Sequence, residues 1–276
     1  MSYSTPTSPP ELMWRDVGEG QRGWSLLAGS VAPALQGAVR GLRARTLQVA
    51  RDDSDIDVMV LEKAGPREGG GKGAAVLVPH GGPHSVYPGC WIFTHVLLAS
   101  LGYTVIIPNY RGSLGFGNRA LLSLPGRVGT QDVGDCLAAV DAVLTEGAVD
   151  PGRVLVQGGS HGGFLTTHLL GQHPTRFAGG IIRNPVCNMS AMVQMTDIPD
   201  WCFVEALGVA GRAGRSAAKV APTPEDLEAL YAVSPIRHVQ CVRAPTLFLL
   251  GQKDRRTPYQ DGLQYVRALK QQGADV

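Results

Sequence analysis

Short apolar runs recur along the chain, each closed by a turn rich in Gly, Pro or Asn and followed by apolar residues three and four apart. Continuous apolar runs suit strands buried on both faces, and the wider spacing suits helices packed on a sheet. Residues 74–78, 103–108, 154–157, 180–184 and 246–250 predict strands. Residues 91–101, 131–146 and 164–170 predict helices, the second with Val133, Leu137, Val140 and Leu144 on one face. The last segment, from Arg255 on, predicts one helix carrying Leu263, Val266 and Leu269. Alternating strand and helix gives an α/β fold, a mostly parallel sheet with helices on both faces and right-handed crossovers. Asp132 and Asp135 fall in the first turns of their helix, where they favour its dipole. There is no internal repeat.

The strand at 154–157 runs into Gly158-Gly159-Ser160-His161-Gly162-Gly163, and a helix follows at once. A strand that turns sharply into a helix strains its turn residue, and small neighbours let the backbone close around it. The pattern is that of a nucleophile elbow, with Ser160 Oγ lifted above the sheet and the helix N-terminus facing any negative charge that develops there. Upstream, the strand at 74–78 ends in Pro79-His80-Gly81-Gly82-Pro83-His84. Acyl transfer needs two N–H donors for its oxyanion, one from the residue after the nucleophile and one from such a loop. His161 and Gly82 are the candidates; an ordinary Gly-Pro turn is the alternative reading of the loop. Pro83 has no N–H and can only shape it.

A serine nucleophile takes a histidine base, and the base takes a carboxylate. Asp254 follows the strand at 246–250, at the end of the sheet where open α/β folds place their sites. The competing reading is a solvated Asp254 paired with Arg255 or Arg256. All seven histidines (80, 84, 95, 161, 168, 173 and 238) precede Asp254. His80 is expected to bond within its loop, His161 to point away from Oγ, and His168 and His173 to lie along the elbow helix. The expectation is therefore a catalytic domain that lacks its last strand and helix and the base they carry, and that is inactive as it stands.

His80-Gly81-Gly82-Pro83-His84, the run from Asn109 to Gly117, the elbow, Arg183-Asn184-Pro185-Val186, the run from Thr196 to Cys202 and the run from Leu250 to Arg256 together resemble the prolyl oligopeptidase family of serine peptidases. The resemblance covers roughly residues 55–276. It implies an α/β-hydrolase fold behind a β-propeller that limits entry to short peptides. It also implies release of N-acylated residues through an acyl-enzyme, no cofactor, and a homo-oligomeric full-length enzyme. On this reading residues 1–54 are the end of the propeller and a linker, and residues 55–276 are the peptidase domain. An N-acylated peptide offers no ammonium, so its pocket should be apolar; candidate walls are Phe116, Ile198, Trp201, Phe203 and Val204, with core packing as the other reading. Arg255 and Arg256 are expected to pair structurally, with Asp254 or Asp261. Two other functional readings stay open. One is a different α/β-hydrolase activity, such as a carboxylesterase or a prolyl-oligopeptidase-type endopeptidase. The other is a dead product that at most binds partners or ligands.

At 276 residues with 36 glycines, the chain can bury a full core with many short turns. The net charge of +2, without a basic stripe, argues against nucleic acid as a partner. Five cysteines (90, 136, 187, 202 and 241) form no framework and no zinc spacing, which suggests reduced thiols and a cytoplasmic enzyme without metal. The mildly apolar stretch 24–39 is interrupted by Pro33 and Gln36 and preceded by acidic residues, so it reads neither as a targeting segment nor as a membrane span. Residues 1–10 are expected to be disordered and residues 207–225 to form a variable surface loop.

Overall fold

The computed structural model describes residues 2–15, 24–29, 37, 39–52, 54–65, 71–213 and 221–276. Seven strands form the main sheet: β4 (Leu42–Val49), β5 (Ile56–Lys63), β6 (Gly73–Leu77), β7 (Thr104–Asn109), β8 (Val149–Ser160), β9 (Gly179–Pro185) and β10 (Thr246–Leu249). Their spatial order is β10-β9-β8-β6-β7-β5-β4. Five strands, β7, β6, β8, β9 and β10, run parallel, while β5 and β4 are added antiparallel at one edge. The chain leaves β6 toward β7 on one side and returns to β8 on the other. The loops after β6 and β8 therefore open a crevice between neighbouring strand ends, the place where sheets of this kind bind ligands.

Helices cover both faces. On one, α1 (Phe93–Ser100) places Val96 and Ala99 against Val76, Val78, Val105 and Ile107. On the other, α3 (Gln131–Thr145) and α4 (His161–Gln172) bury Val140, Val143, Phe164, Leu165 and Leu169 over Leu77, Val154 and Val156. The remaining elements are α2 (Gly117–Leu122), α5 (Met189–Met192), α6 (Pro199–Ala213), α7 (Pro224–Ala232), a 3₁₀ turn (Pro235–Cys241) and α8 (Tyr259–Gln271). β10 ends the strand order, and Leu247 and Leu249 on it are 53% and 47% exposed.

Several expectations need correction. Residues 2–14 are not disordered: β1 (Ser2–Thr5) and β2 (Ser8–Trp14) pair antiparallel, and β3 (Ser25–Gly29) completes a separate three-stranded sheet. A boundary at 54/55 falls inside the β4–β5 hairpin, because every residue of β4 pairs with β5. Most of the described residues of 207–225 are helical: α6 runs to Ala213 through Gly208, whose φ of 74° kinks it, and α7 begins at Pro224 behind a Thr223–Asp226 capping box. Residues 214–220 and half of the stretch 24–39 (30–36 and 38) lie outside the described residues.

The buried face of α3 is shifted from the one the apolar spacing suggests. It keeps Val133 and Val140, leaves Leu137 and Leu144 half-buried, and adds Asp132, Asp135, Cys136, Ala139 and Val143. The reason is polar. Both carboxylates are fully buried and hold the backbone rather than the dipole alone. Asp135 accepts from the Arg111 N–H at 2.9 Å and from its guanidinium at 2.8 and 3.0 Å, and Arg51 Nε approaches at 2.8 Å. That cluster fixes the 110–113 turn beside the crevice. Replacing Asp135 by Ala removes the buried carboxylate that pairs with the Arg111 guanidinium, so stability should fall by about 3–5 kcal/mol. Urea unfolding checks this; a loss under ~1 kcal/mol would show that water replaces the lost carboxylate.

Candidate active site

Ser160 ends β8 and caps α4 with φ 57° and ψ −124°. Only one other non-glycine, Asn184, has positive φ among the described residues. A non-glycine held there costs about 1–3 kcal/mol and persists only where its surroundings fix it. The glycines around it do so by their lack of a side chain. A Cβ on Gly158 would lie 2.1 Å from Gly162 O, and one on Gly162 would lie 2.4 Å from Pro79 O. One on Gly163 would lie 2.9 Å from Pro185 Cβ. The elbow is thus wedged between the loop after β6 and the end of β9.

The loop after β6 reaches the serine itself: a Cβ on Gly81 would stand 3.3 Å from Ser160 Cβ and 3.8 Å from Oγ. Gly82 adopts φ 126°, and its carbonyl accepts from Trp201 Nε1–H at 3.1 Å. His161 opens α4, so its N–H is one of the donors a helix leaves unpaired. The expected oxyanion donors therefore sit on the two segments that converge at Ser160.

Asp254 lies past β10, on the same side of the sheet. Its carboxylate accepts from Asn184 Nδ2–H (2.7 Å), the N–H groups of Arg256 (2.9 Å) and Thr257 (3.0 Å), and the Thr257 hydroxyl (3.1 Å). Burial pushes this carboxyl up, but the bonds from Thr257, Arg256 and Asn184 outweigh it and hold it below its ordinary range. Asn184 and Thr257 were not singled out from the sequence. Asn184 earns its position by a strained φ of 41°, which lets its side chain also accept from Gly251 N–H at 3.1 Å.

No histidine bonds to Ser160 Oγ or Asp254. His80 Nδ1 meets Gly81 O at 2.7 Å and Nε2 meets Ser113 Oγ at 2.8 Å, and burial lowers its pKa to about 4. His161 is fully buried, with Nε2 2.9 Å from Asp132 Oδ2. His168 meets Val233 O, and burial lowers its pKa to about 3. His95, lowered to about 4 by burial, packs edge-on to Tyr87.

Beside Ser160 is a pocket of about 250 Å³ lined by Gly82, Ser160, Val186, Met192, Ile198, Trp201, Arg256 and Thr257. Of the expected walls, Ile198 and Trp201 line it. Phe203 and Val204 do not, and Phe203 packs on the larger core instead. Phe116, half-buried ahead of α2, does not line it either. Arg256 pairs with Asp197 (2.9 Å) rather than with the carboxylate of Asp254 or Asp261. Asp261 instead accepts from Cys187 N–H at 2.7 Å, and burial raises its carboxyl to about 7.

Among the described residues, no group of three or more His, Cys, Asp or Glu could hold a metal, and no helix is long and apolar enough to cross a membrane. A parallel sheet whose central strand delivers a strained serine to a helix N-terminus, beside a glycine-rich loop, defines an α/β hydrolase of the serine type. Residues 92–276 match the prolyl oligopeptidase family, and the chain belongs to that family. It is 44% identical over 290 residues to the acylamino-acid-releasing enzyme of Arabidopsis thaliana, which aligns with 99% of this chain. It is 53% identical over 201 residues to acylamino-acid-releasing enzyme 2 of Oryza sativa subsp. japonica, across 73% of this chain. A Pyrococcus horikoshii acylaminoacyl peptidase superposes on the whole chain with a TM-score of 0.82 at 25% identity. The chain spans 37%, 26% and 42% of these three proteins, respectively.

Because Asn184 gives Asp254 its shortest hydrogen bond, Asn184→Ala should raise the Asp254 pKa toward the ordinary carboxylate value. Carboxyl ¹³C titration by NMR reads this directly, and an unmoved pKa would assign the depression to the donors of Thr257 and Arg256. The sign for stability follows from the depressed value: what Asp254 contributes is complete at neutral pH and is lost as pH falls through its folded pKa.

Proposed function

We propose that the chain carries the catalytic groups of a serine peptidase that releases N-acylated residues from short peptides. Ser160 Oγ attacks the carbonyl carbon of the acylated residue, and its proton passes to an imidazole base oriented by Asp254. The N–H groups of Gly82 and His161 take the oxyanion of the tetrahedral intermediate. Its collapse breaks the C–N bond, and the base returns the proton to the departing amine. Water then hydrolyses the ester on Ser160 and frees the N-acyl amino acid.

The observation that carries the substrate class is the lining of the pocket. Val186, Met192, Ile198 and Trp201 offer apolar surface, and no lining residue is a carboxylate that would receive a free ammonium. The names of the relatives point the same way. The reading includes a cytoplasmic, homo-oligomeric full-length enzyme acting on short peptides without a cofactor; the five free thiols are in keeping with the first part. None of the seven histidines bonds to Ser160 Oγ or Asp254, which supports a base from outside them. Residues 1–276 alone should then turn over slowly, on the order of 10⁶-fold below a complete triad.

Exogenous imidazole tests this reading, because it can occupy the space beside Asp254. With imidazole present, the chain should cleave acetyl-alanyl p-nitroanilide in preference to a free-amine dipeptidyl anilide or a short-chain ester. Ser160→Ala should abolish the cleavage, and Asp254→Asn should lower it by up to ~10⁴-fold. Equal cleavage by Ser160→Ala would remove Ser160 as nucleophile. Preference for the ester would favour a carboxylesterase. Robust turnover without imidazole would return the base to one of the seven histidines.

A further inference from the structure

The loop after β6 has no regular structure, so its course depends on a few side-chain anchors. Ser85 O accepts from Leu114 N–H at 2.8 Å, and Asn109 holds both the N–H and the carbonyl of Tyr87. Between these and Gly82 stands His84. Its Nδ1 lies 2.8 Å from Gly112 O, and its Nε2 lies 3.3 Å from Glu205 Oε1 on α6. Both partners are acceptors only. A neutral imidazole has one N–H and leaves one of them unmet, whereas the imidazolium donates to both.

Glu205 makes the same demand from the other side. Its side chain is 3% exposed, and a buried carboxylate is stable only when it is paired. His84 is its ion-pair partner among the described residues. Its backbone is fixed as well, since Glu205 O accepts from Gly126 N–H at 2.8 Å. One helical turn earlier on α6, Trp201 donates to Gly82 O. α6 therefore grips the loop at two points, on either side of Pro83.

We propose that His84 and Glu205 are a positioning pair: the imidazolium seats residues 81–85 on α6 and so aims the Gly82 N–H at the reacting carbonyl oxygen. This rests on the reading of Gly82 as an oxyanion donor. The titratable neighbours are few. Glu205 faces His84 from α6, and its hydrogen bond raises the His84 pKa against the opposing effect of burial. His80 faces it from the same loop and is held neutral by burial, at about 4. Tyr110 and Cys202 face Glu205, and burial raises both, Cys202 to about 12. Because the folded His84 pKa is raised, the pair is complete below the ordinary histidine range and is lost as pH rises through that folded value.

The test uses the 276-residue chain, E205Q and H84Q, with the Trp201 indole N–H followed by ¹H–¹⁵N NMR. In the unaltered chain that resonance should titrate with the midpoint of the His84 ring. In E205Q both should move to lower pH by about one unit, a tenfold change in the proton affinity of His84. The second arm measures phosphonylation of Ser160 by a fluorophosphonate with imidazole present. At about pH 6, where an unperturbed histidine is largely charged, H84Q should react roughly tenfold more slowly than the unaltered chain. The two rates should converge above the His84 midpoint. Position 84 is 28% exposed, so if E205Q does not fold H84Q still serves the rate arm, and in the first arm its indole signal should lose the titration. A rate ratio that is constant with pH, or an indole signal indifferent to the His84 titration, overturns the proposal. Equal labelling of a Ser160→Ala control would instead sink the serine reading and leave the indole titration to decide the pair.

Discussion

The turn at Ser160 is the constraint on which the rest of the site depends. A side chain at φ 57° must be held there by its surroundings, and those surroundings are backbone: Pro79 O and the 80–81 segment on one side, Gly162 O beneath, and the end of β9 on the other. Each glycine of the elbow is a place where another residue would force these segments apart. The geometry of the β8–α4 junction therefore fixes the loop after β6 and β9 together with the serine. Because Asn184 lies on β9 and donates to Asp254, the Asp254 carboxylate is positioned through the same contact.

Around this backbone wedge, buried acid–base pairs tie down the segments that strand pairing does not reach. Asp135 holds Arg111 and with it the turn after β7, Asp132 holds His161 and the N-terminus of α4, and Glu205 holds His84 in the loop after β6. The three carboxylates come from α3 and α6, which flank the crevice. Buried pairs of this kind add little net stability, since desolvation offsets most of their attraction. What they supply here is a defined loop position at the point where the sheet provides none.

The sequence exposed the parts of this design that depend on local rules. The elbow and the loop after β6 were legible because strained turns need glycine in a recognisable order, and the strands because their apolar runs are continuous. Side-chain direction set by distant packing was not legible. The α3 face turns toward Asp132 and Asp135 because their partners, His161 and Arg111, come from other elements. The pocket gathers Val186 and Met192 from the stretch after β9, which no spacing on α6 could suggest. Asn184 looks like an ordinary strand residue until β10 and the 251–257 loop lie beside it. Residues 2–14 lack apolar alternation strong enough to declare a strand, yet they pair as a hairpin with β3 beyond them.

The central claim is that Ser160 carries an acyl group during the reaction, and the most direct measurement is to trap that group. An activated acetyl-alanyl ester, incubated with the chain and followed by peptide mass spectrometry, should add one acetyl-alanyl mass to the tryptic peptide 154–176 at Ser160. An activated ester needs less help from a base to acylate Ser160 than water needs to hydrolyse the product, so the adduct should accumulate. An adduct at any other residue, or none under conditions where a serine made accessible by unfolding reacts, would contradict the account.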